Sequence, residues 1–388
     1  MALKTLGKIV TAVAARPAAL AEERRRGAKV VGAWEYTIPE EIIHALGLIP
    51  LRLAAGGNEK TTELGARYIS SKNCVFCRHA VGQFATKKDP YILNTDLFVF
   101  DATCLQLFRV AEIVKYYFNV PTLVLGVPKT YDAPEAGDYF LAELSWFTKA
   151  LEAFAGRPLE NQRLAESIDL YGKIRDVSLE IYRQQAVPGT PAISWREVLD
   201  VIQAGNVLDK REYLALLLEL AAELRTTPLS TERKRSNDKR IFLSGSLIPP
   251  KDRKLVEIIE DVGGRVIVDD LTTGLGAVDG LRFEEPTLRG VARGYLSRNP
   301  PHSALPYLDF ATDPRLANVK RLIKEYDARA IIYHSLRFCD PYTFKAAELK
   351  AFLQPDRVPF LEIHTEYSGS DVEAIRTRVE ALVETMSR

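Results

Sequence analysis

The sequence predicts an α/β protein with two doubly wound parallel-sheet domains of the flavodoxin or Rossmann type, separated by a helical middle region. Near both ends of the chain, short apolar runs typical of buried strands alternate with amphipathic helical segments, which is the rhythm of βαβ units. Residues 135–237 instead show helical periodicity without a strand-like run. A polar stretch, TTPLSTERKRSNDKR, then precedes the second α/β pattern and predicts a linker.

These patterns divide the 388 residues into four predicted units. They are an N-terminal helix over 1–27, a first α/β domain over 28–134, a helical region with its linker over 135–237, and a second α/β domain over 238–388. Lys8 interrupts the apolar stretch near the start, so we interpret it as an amphipathic helix rather than a removed targeting segment.

In the first α/β domain, TIPEEIIHALGLIP predicts a short helix that begins at Pro39 and ends near Gly47. IPLRL, DLFVFDAT and TLVLGV predict buried strands, and CLQLFRVAEIVKYYF predicts a helix between the last two. In the second domain, RIFLSGS, RVIVDD, RAIIYHSLRF and VPFLEIHTEY predict four strands, with helical patterns between and after them. GLGAVDG is only a near match to a dinucleotide-binding fingerprint and predicts a loop.

Composition narrows the possible functions. The net charge is +1, which gives no electrostatic basis for binding nucleic acid or an anionic membrane. No apolar run reaches the roughly 20 residues that span a bilayer. Four cysteines in a chain of this length do not resemble a secreted disulfide framework, so we expect a cytoplasmic protein with reduced thiols.

The four cysteines are the strongest functional signal. Cys104 and Cys339 each follow a predicted strand, and parallel sheets bind ligands beyond the carboxyl ends of their strands. Cys74 lies in the loop region before the DLFVF strand, with Cys77 three positions later. We therefore expect Cys74, Cys104 and Cys339 to converge in the cleft between the two α/β domains.

Several interpretations of the cysteines remain open from the residues alone. Free cysteines are often small buried apolar groups, and CVFC by itself suggests a thioredoxin-like redox pair. That pair is disfavoured because no strand precedes it and no clear helix follows. A structural zinc held by all four thiols is chemically possible, although such sites usually use two paired knuckles. An iron–sulfur cluster with three thiolate ligands fits the pattern better.

Several segments, in order, resemble the D-component family of 2-hydroxyacyl-CoA dehydratases, which includes subunits of ATP-dependent benzoyl-CoA reductases. GAWEYTIPEEIIHALGLIPLRL is similar to the opening helix and strand of that family. NCVFCR, DATC and RFCDP are similar to its three cysteine segments, and the first match selects Cys74 with Arg78. RIFLSGS…EIIEDVGGRVIVDD and VPFLEIHTEY…IRTRVEAL are similar to later landmarks.

The resemblance implies one 4Fe-4S cluster in the interdomain cleft, held by Cys74, Cys104 and Cys339, with Cys77 as a bystander. The sulfurs of the three ligands are then expected roughly 6–7 Å apart. The chain departs from the family pattern at Val75, where a proline is common, and after Cys104, where LQ replaces an acidic residue.

The resemblance also implies a heterodimer with a related D-component subunit and an ATP-hydrolysing activator that carries a further cluster. Low-potential electrons would pass to an acyl-CoA thioester, whose carbonyl accepts an electron as a ketyl-type radical. The abundance of Ala and Arg favours the benzoyl-CoA reductase branch over the 2-hydroxyacyl-CoA dehydratase branch. A zinc-stabilised scaffold subunit is the non-enzymatic alternative. His79, beside the first cysteine segment, is a weak candidate proton donor.

Overall fold

The computed structural model describes residues 3–54, 56–130, 132–187, 191–227, 239–301 and 312–386. Within these residues, two four-stranded parallel sheets form, which confirms the predicted fold class. The predicted linker 226–240 falls largely on residues 228–238, outside the described residues.

The first sheet has the strand order β2-β1-β3-β4, and β1 and β3 are its central pair. Trp34 of β1 pairs with Phe100 of β3, so both strands end at the same edge. The strands are β1 (Val30–Trp34), β2 (Ile49–Arg52), β3 (Leu97–Asp101) and β4 (Thr122–Leu125). The helices of this part are α1 (Lys4–Arg25), α2 (Glu40–Ala45), α3 (Glu59–Gly65), α4 (Val75–Thr86), α5 (Pro90–Leu93) and α6 (Leu105–Phe118).

The middle of the chain is helical, as predicted. Its helices are α7 (Ala136–Ala155), α8 (Asn161–Tyr182), α9 (Trp195–Ala204) and α10 (Lys210–Thr226). The side chain of Ser194 accepts from the Glu197 backbone N–H while the Glu197 side chain accepts from the Ser194 backbone, a reciprocal cap that fixes the start of α9.

The second sheet repeats the strand order of the first, β6-β5-β7-β8. Its strands are β5 (Lys239–Gly245), β6 (Gly264–Asp269), β7 (Ala330–Leu336) and β8 (Phe360–Thr365). The helices here are α11 (Lys254–Asp261), α12 (Leu275–Val278), α13 (Leu288–Leu296), α14 (Pro314–Glu325), α15 (Asp340–Leu353) and α16 (Val372–Thr385). Gly245 ends β5 at φ +111°, where a Cβ atom would lie 2.1 Å from the carbonyl oxygen of His334.

The shared strand order gives Cys104 and Cys339 equivalent positions. Cys104 follows β3 and Cys339 follows β7, and each of these strands lies beside the first strand of its own sheet. In a doubly wound sheet the strand order reverses at this point, and a ligand-binding crevice opens beyond the carboxyl ends of the strands. The sequence showed each cysteine after a strand, but not that the two strands occupy the same place in two copies of one topology.

A buried contact joins the helical region to the second sheet. Both the Tyr182 hydroxyl and the Trp195 indole N–H donate to the Asp269 carboxylate, at 2.5 and 2.8 Å. Asp269 is fully buried at the end of β6 and also accepts the backbone N–H groups of Leu271 and Leu275. The carboxylate is therefore well satisfied, as buried charge requires.

The structure differs from the sequence prediction at a central strand, at a predicted loop and at the CVFC segment. VVGAW forms β1 at the centre of the first sheet, a strand that the sequence reasoning did not assign. A short helix, α12, lies inside GLGAVDG, where a loop was predicted. Cys74 directly precedes the twelve-residue helix α4, so the argument that no clear helix follows CVFC was wrong. No helix in the described residues is both long and apolar enough to cross a membrane.

Candidate functional site

Three of the cysteines occupy the same kind of position in the structure. Cys74 is the N-cap residue of α4, Cys104 that of α6 and Cys339 that of α15. Each helix has twelve residues or more, so each directs the positive end of its dipole and unpaired backbone N–H groups toward its cysteine. Helix N-termini favour thiolate over thiol, so the arrangement suits sulfur ligands that carry negative charge.

The thiols contact one another at the junction of the two sheets. Hydrogen bonds from the Cys339 and Cys77 thiols hold the pKa of Cys74 well below that of an ordinary thiol, and the backbone N–H groups of Cys77 and Phe76 lower it further. The same hydrogen bonds raise the pKa of Cys77 and of Cys339. Cys74 is thus the most acidic of these three thiols.

Cys104 lies near the other thiols and shares with Cys74 the apolar cluster beneath α4 and α6. Burial raises the pKa of the Cys104 thiol to about 11, against the backbone N–H groups of Leu107 and Gln106. The charge of Cys74 contributes to this rise. The structure therefore places Cys339 and Cys77 in contact with Cys74, with Cys104 close enough for its charge to interact with that of Cys74; Cys77 was expected to be a bystander.

The donor set fits an iron–sulfur cluster by its chemistry: three soft thiol ligands, each beside a helix N-terminus. Within the part of the chain that the structure describes, no three His, Cys, Asp or Glu side chains form a group that could hold a metal ion. The hydrogen bond between Cys74 and Cys339 brings their sulfurs closer than the roughly 6–7 Å expected for a cubane.

Gln106 connects the three cysteine segments. Its side-chain carbonyl accepts from the backbone N–H of Cys74 at 2.7 Å. Its amide nitrogen donates to the carbonyl of Phe338 at 3.0 Å and to the carboxylate of Asp340 at 2.9 Å. The sequence reasoning noted only that LQ replaces an acidic residue after Cys104; the structure shows what the glutamine side chain binds.

Two carboxyl groups lie at the ends of the central strands, next to the thiols. Glu35 follows β1, and burial together with the charge of Asp101 raises the pKa of Glu35 to about 8. Asp101 ends β3, and burial raises its pKa to about 6 although it accepts hydrogen bonds from Thr37 and Thr103. The sequence analysis missed both residues, although each directly ends or follows an apolar strand pattern.

His79 and Arg78 lie on α4 behind the thiols. Neither ring nitrogen of His79 has a hydrogen-bond partner among the residues that the structure describes. Burial lowers the pKa of His79 to about 4, so the ring is neutral near pH 7 and is not a cationic acid. Arg78 is buried and lies 3.7 Å from the Glu366 carboxylate, which places a positive charge behind the thiols.

An apolar layer lies beneath the cysteines. Trp34 is fully buried and stacks on Phe100, with ring centroids 5.8 Å apart, and contacts the edge of Phe76 at 6.0 Å. The layer also includes Leu336 from the second sheet. These side chains exclude water from the protein side of the thiols.

Comparison with known proteins places this chain in a family. The family model of the 2-hydroxyglutaryl-CoA dehydratase D-component matches residues 35–386. This chain belongs to that D-component family. The match includes all four cysteines and both sheets except the first strand, and it confirms the resemblance found in the sequence.

Named relatives of this D-component protein include both dehydratase and reductase subunits. It is 25% identical to "Putative dehydratase subunit YjiM" of Escherichia coli strain K12, over 94% of this chain and 93% of the relative. It is 22% identical to a benzoyl-CoA reductase subunit of Thauera aromatica, over 92% and 91%. It is 23% identical to the beta subunit of (R)-2-hydroxyglutaryl-CoA dehydratase from Acidaminococcus fermentans, over the full length of both chains.

Proposed function

We propose that this chain is the iron–sulfur subunit of an ATP-dependent benzoyl-CoA reductase, which passes low-potential electrons to an aromatic acyl-CoA thioester for ring reduction. The observation that supports the electron-transfer role is the position of Cys74, Cys104 and Cys339, each of which is the N-cap residue of a helix. A 4Fe-4S cluster bound by these thiols would supply one-electron transfer at low potential. The enzyme would work in the cytoplasm, where thiols stay reduced.

The surrounding residues have defined tasks in this proposal. The N-terminal turns of α4, α6 and α15 stabilise the thiolates through their backbone N–H groups. Gln106 holds the Cys74 and Cys339 segments at a fixed separation from α6. Trp34 and Phe100 keep water from the buried side, which protects a strongly reducing centre.

The proposal assigns Cys77 no ligand role, since its position matches no cysteine of the family pattern. His79 keeps only a weak role as a neutral hydrogen-bond donor, because burial disfavours its charged form. The division of the chain at residues 27, 134 and 237 is also part of the proposal. It places the cysteine centre between the first and second α/β domains.

A related D-component subunit would cover the open side of the centre. Three large apolar side chains adjoin Cys104 and Cys339 in the sequence and are exposed: Leu105 by 73%, Phe344 by 74% and Phe338 by 42%. Apolar groups that surround a functional site favour a protein partner over solvent. The partner would supply a second centre for the two electrons of ring reduction, and an ATP-hydrolysing activator would deliver them.

A 2-hydroxyacyl-CoA dehydratase subunit is the second candidate. It is favoured by the relatives themselves, since two of the three compared above carry dehydratase names. The benzoyl-CoA reductase assignment rests on composition and on the relative from Thauera aromatica. The zinc-stabilised scaffold remains the non-enzymatic alternative.

An anaerobic reconstitution distinguishes these functions. The chain is purified without oxygen, analysed for iron, acid-labile sulfide and zinc, and combined with its partner subunit, activator and ATP. Benzoyl-CoA and (R)-2-hydroxyglutaryl-CoA are then offered separately. We expect ring reduction of benzoyl-CoA coupled to ATP hydrolysis, and no turnover by the isolated chain even with a strong chemical reductant.

Each other outcome overturns part of the proposal. Loss of water from the hydroxyacyl thioester, with benzoyl-CoA unchanged, assigns the dehydratase function instead. Stoichiometric zinc without iron or sulfide supports the scaffold alternative. Robust thioester reduction by the isolated chain removes the requirement for a partner.

A further inference from the structure

A cavity of about 90 Å³ lies between the first sheet, the helical region and the segment after α13. Six charged side chains line it, and each is at most 6% exposed. Four are cations and two are carboxylates: Arg52, Arg175, Lys210, Arg298, Glu40 and Glu41. None of them belongs to the cysteine centre.

The first carboxylate is fully engaged. Glu40 binds Arg52 at 2.8 Å and Lys210 at 2.9 Å, and it accepts the Tyr171 hydroxyl at 3.0 Å. Burial favours the neutral acid, but Lys210 and Arg52 hold the pKa of Glu40 at about 2. Glu40 therefore carries one negative charge between two positive charges.

The second carboxylate, Glu41, does not satisfy all the hydrogen-bond donors of its partner Arg175. Glu41 accepts Arg175 Nη1 at 2.8 Å and the Tyr295 hydroxyl at 3.2 Å. The Nε atom of Arg175 is buried and has no hydrogen-bond partner. Buried donors in folded proteins are nearly always satisfied, so this atom indicates a missing acceptor.

Arg298 has no carboxylate partner among the described residues. Its Nε and Nη2 atoms donate to the carbonyl oxygen of Asp279 at 3.1 and 2.8 Å, and Nη2 also donates to the carbonyl of Gly276. The Asp279 carboxylate binds Arg321 instead, at 3.3 Å. Burial lowers the pKa of Arg298 to about 10, so the guanidinium remains charged at neutral pH.

We propose that this cavity binds a compact dianion, an oxyanion of about the size of inorganic phosphate. Four cations against two carboxylates leave two positive charges in excess, and buried charge is stable only when it is paired. The oxygens of the ligand would accept from Arg175 Nε and Arg298. The cavity is large enough for such an ion, because its volume of about 90 Å³ is several times the roughly 10–15 Å³ that one water needs on the same measure.

The inference goes beyond the proposed function and stands independently of it. Arg52 also donates to the backbone carbonyl of Glu35, so the cavity adjoins the cysteine centre without sharing a charged residue with it. Anion binding is measurable on the purified chain without acyl-CoA, activator or partner.

Calorimetric titration of the full chain with inorganic phosphate, at constant ionic strength, tests the site. We expect saturable binding, competition by sulfate and malonate, and at least tenfold weaker binding of acetate. Arg298→Gln should weaken phosphate at least tenfold. Glu41→Gln removes a negative charge from the cavity and should tighten phosphate several-fold. Arg282→Gln, at a side chain 58% exposed outside the cavity, is the matched control and should bind as wild type does.

The proposal is overturned if phosphate, sulfate and malonate bind the wild-type chain no better than acetate. It is also overturned if Arg298→Gln folds and binds phosphate as tightly as wild type. Should Arg298→Gln fail to fold, Glu41→Gln decides the question, because unchanged or weaker affinity in that variant contradicts a charge-driven site.

Discussion

The side-chain carbonyl of Gln106 lies 2.7 Å from the backbone nitrogen of Cys74 and accepts its hydrogen bond. The same side chain donates across the junction of the two sheets to Phe338 and Asp340. A single residue at the start of α6 therefore links the Cys104 helix to the segments that carry Cys74 and Cys339.

Replacing Gln106 should loosen the cysteine segments. Gln106→Ala loses the acceptor of the Cys74 N–H and the donor to Phe338, and we expect a loss of about 1–3 kcal/mol in the free energy of unfolding. Hydrogen exchange should accelerate at residues 74–77 and 338–343. Gln106→Glu is the matched variant: it keeps the acceptor but places a carboxylate beside Asp340, so only residues 338–343 should loosen. Equal effects of both variants on residues 74–77 contradict this account.

Cysteine variants should distinguish the proposed cluster ligands from Cys77, which has no proposed ligand role. Cys74→Ala should lose most of the iron and sulfide of the anaerobically purified protein, because Cys74 is a proposed cluster ligand and contacts both Cys339 and Cys77. Cys77→Ala should keep nearly all of it, although the same variant removes a hydrogen bond to Cys74. Iron, sulfide and visible absorption are measured on both. A similar loss from the two variants would support a four-cysteine site.

The apolar surface beside the cysteines should be an interface. Leu105→Asp and Phe344→Asp place a charge on a surface that a partner would bury, and we expect at least tenfold weaker association with the related subunit. Both side chains are exposed, so the melting temperature of the chain alone should change little. Val10→Asp, at a residue 66% exposed on α1, is the control. Association unchanged by both substitutions would place the interface elsewhere.

Asp101 should make stability depend on pH. Burial raises its pKa from about 3.9 in the unfolded chain to about 6 in the folded one. The folded state then holds the proton more tightly, so the free energy of unfolding falls as pH rises from about 4 to about 6. A shift of about two units corresponds to about 2–3 kcal/mol.

Asp101→Asn mimics the protonated carboxyl and should remove this part of the slope in denaturant unfolding curves between pH 4 and 6. Asp261→Asn is the control, because the Asp261 side chain is 59% exposed and its removal should leave the slope in place. Burial also raises the pKa of Glu35, to about 8, so part of the slope should remain. A slope as steep in Asp101→Asn as in the wild type would contradict the prediction.

The sequence by itself determined the elements that depend on local periodicity. The helices α7 to α10 and the strands β5 to β8 follow from apolar spacing over a few residues, which the chain carries wherever it folds. The positions of Cys104 and Cys339 at a ligand-binding edge also followed, because each cysteine directly succeeds a strand pattern. The sequence analysis missed strand β1 because VVGAW contains a glycine and an alanine, which are depleted in strands, whereas the equally short and equally buried β3 has the stronger pattern LFVFD.

Only the tertiary structure decided what meets at the site. Gln106 and Asp340 are 234 positions apart, and Arg175 and Glu41 are 134 apart, so no local pattern relates them. The contact of Cys77 with Cys74, the bridge by Gln106 and the excess of cations around Arg298 all arise where separate layers pack together. Burial then changes the chemistry of these groups, because removing water alters both the cost of charge and the need for a partner.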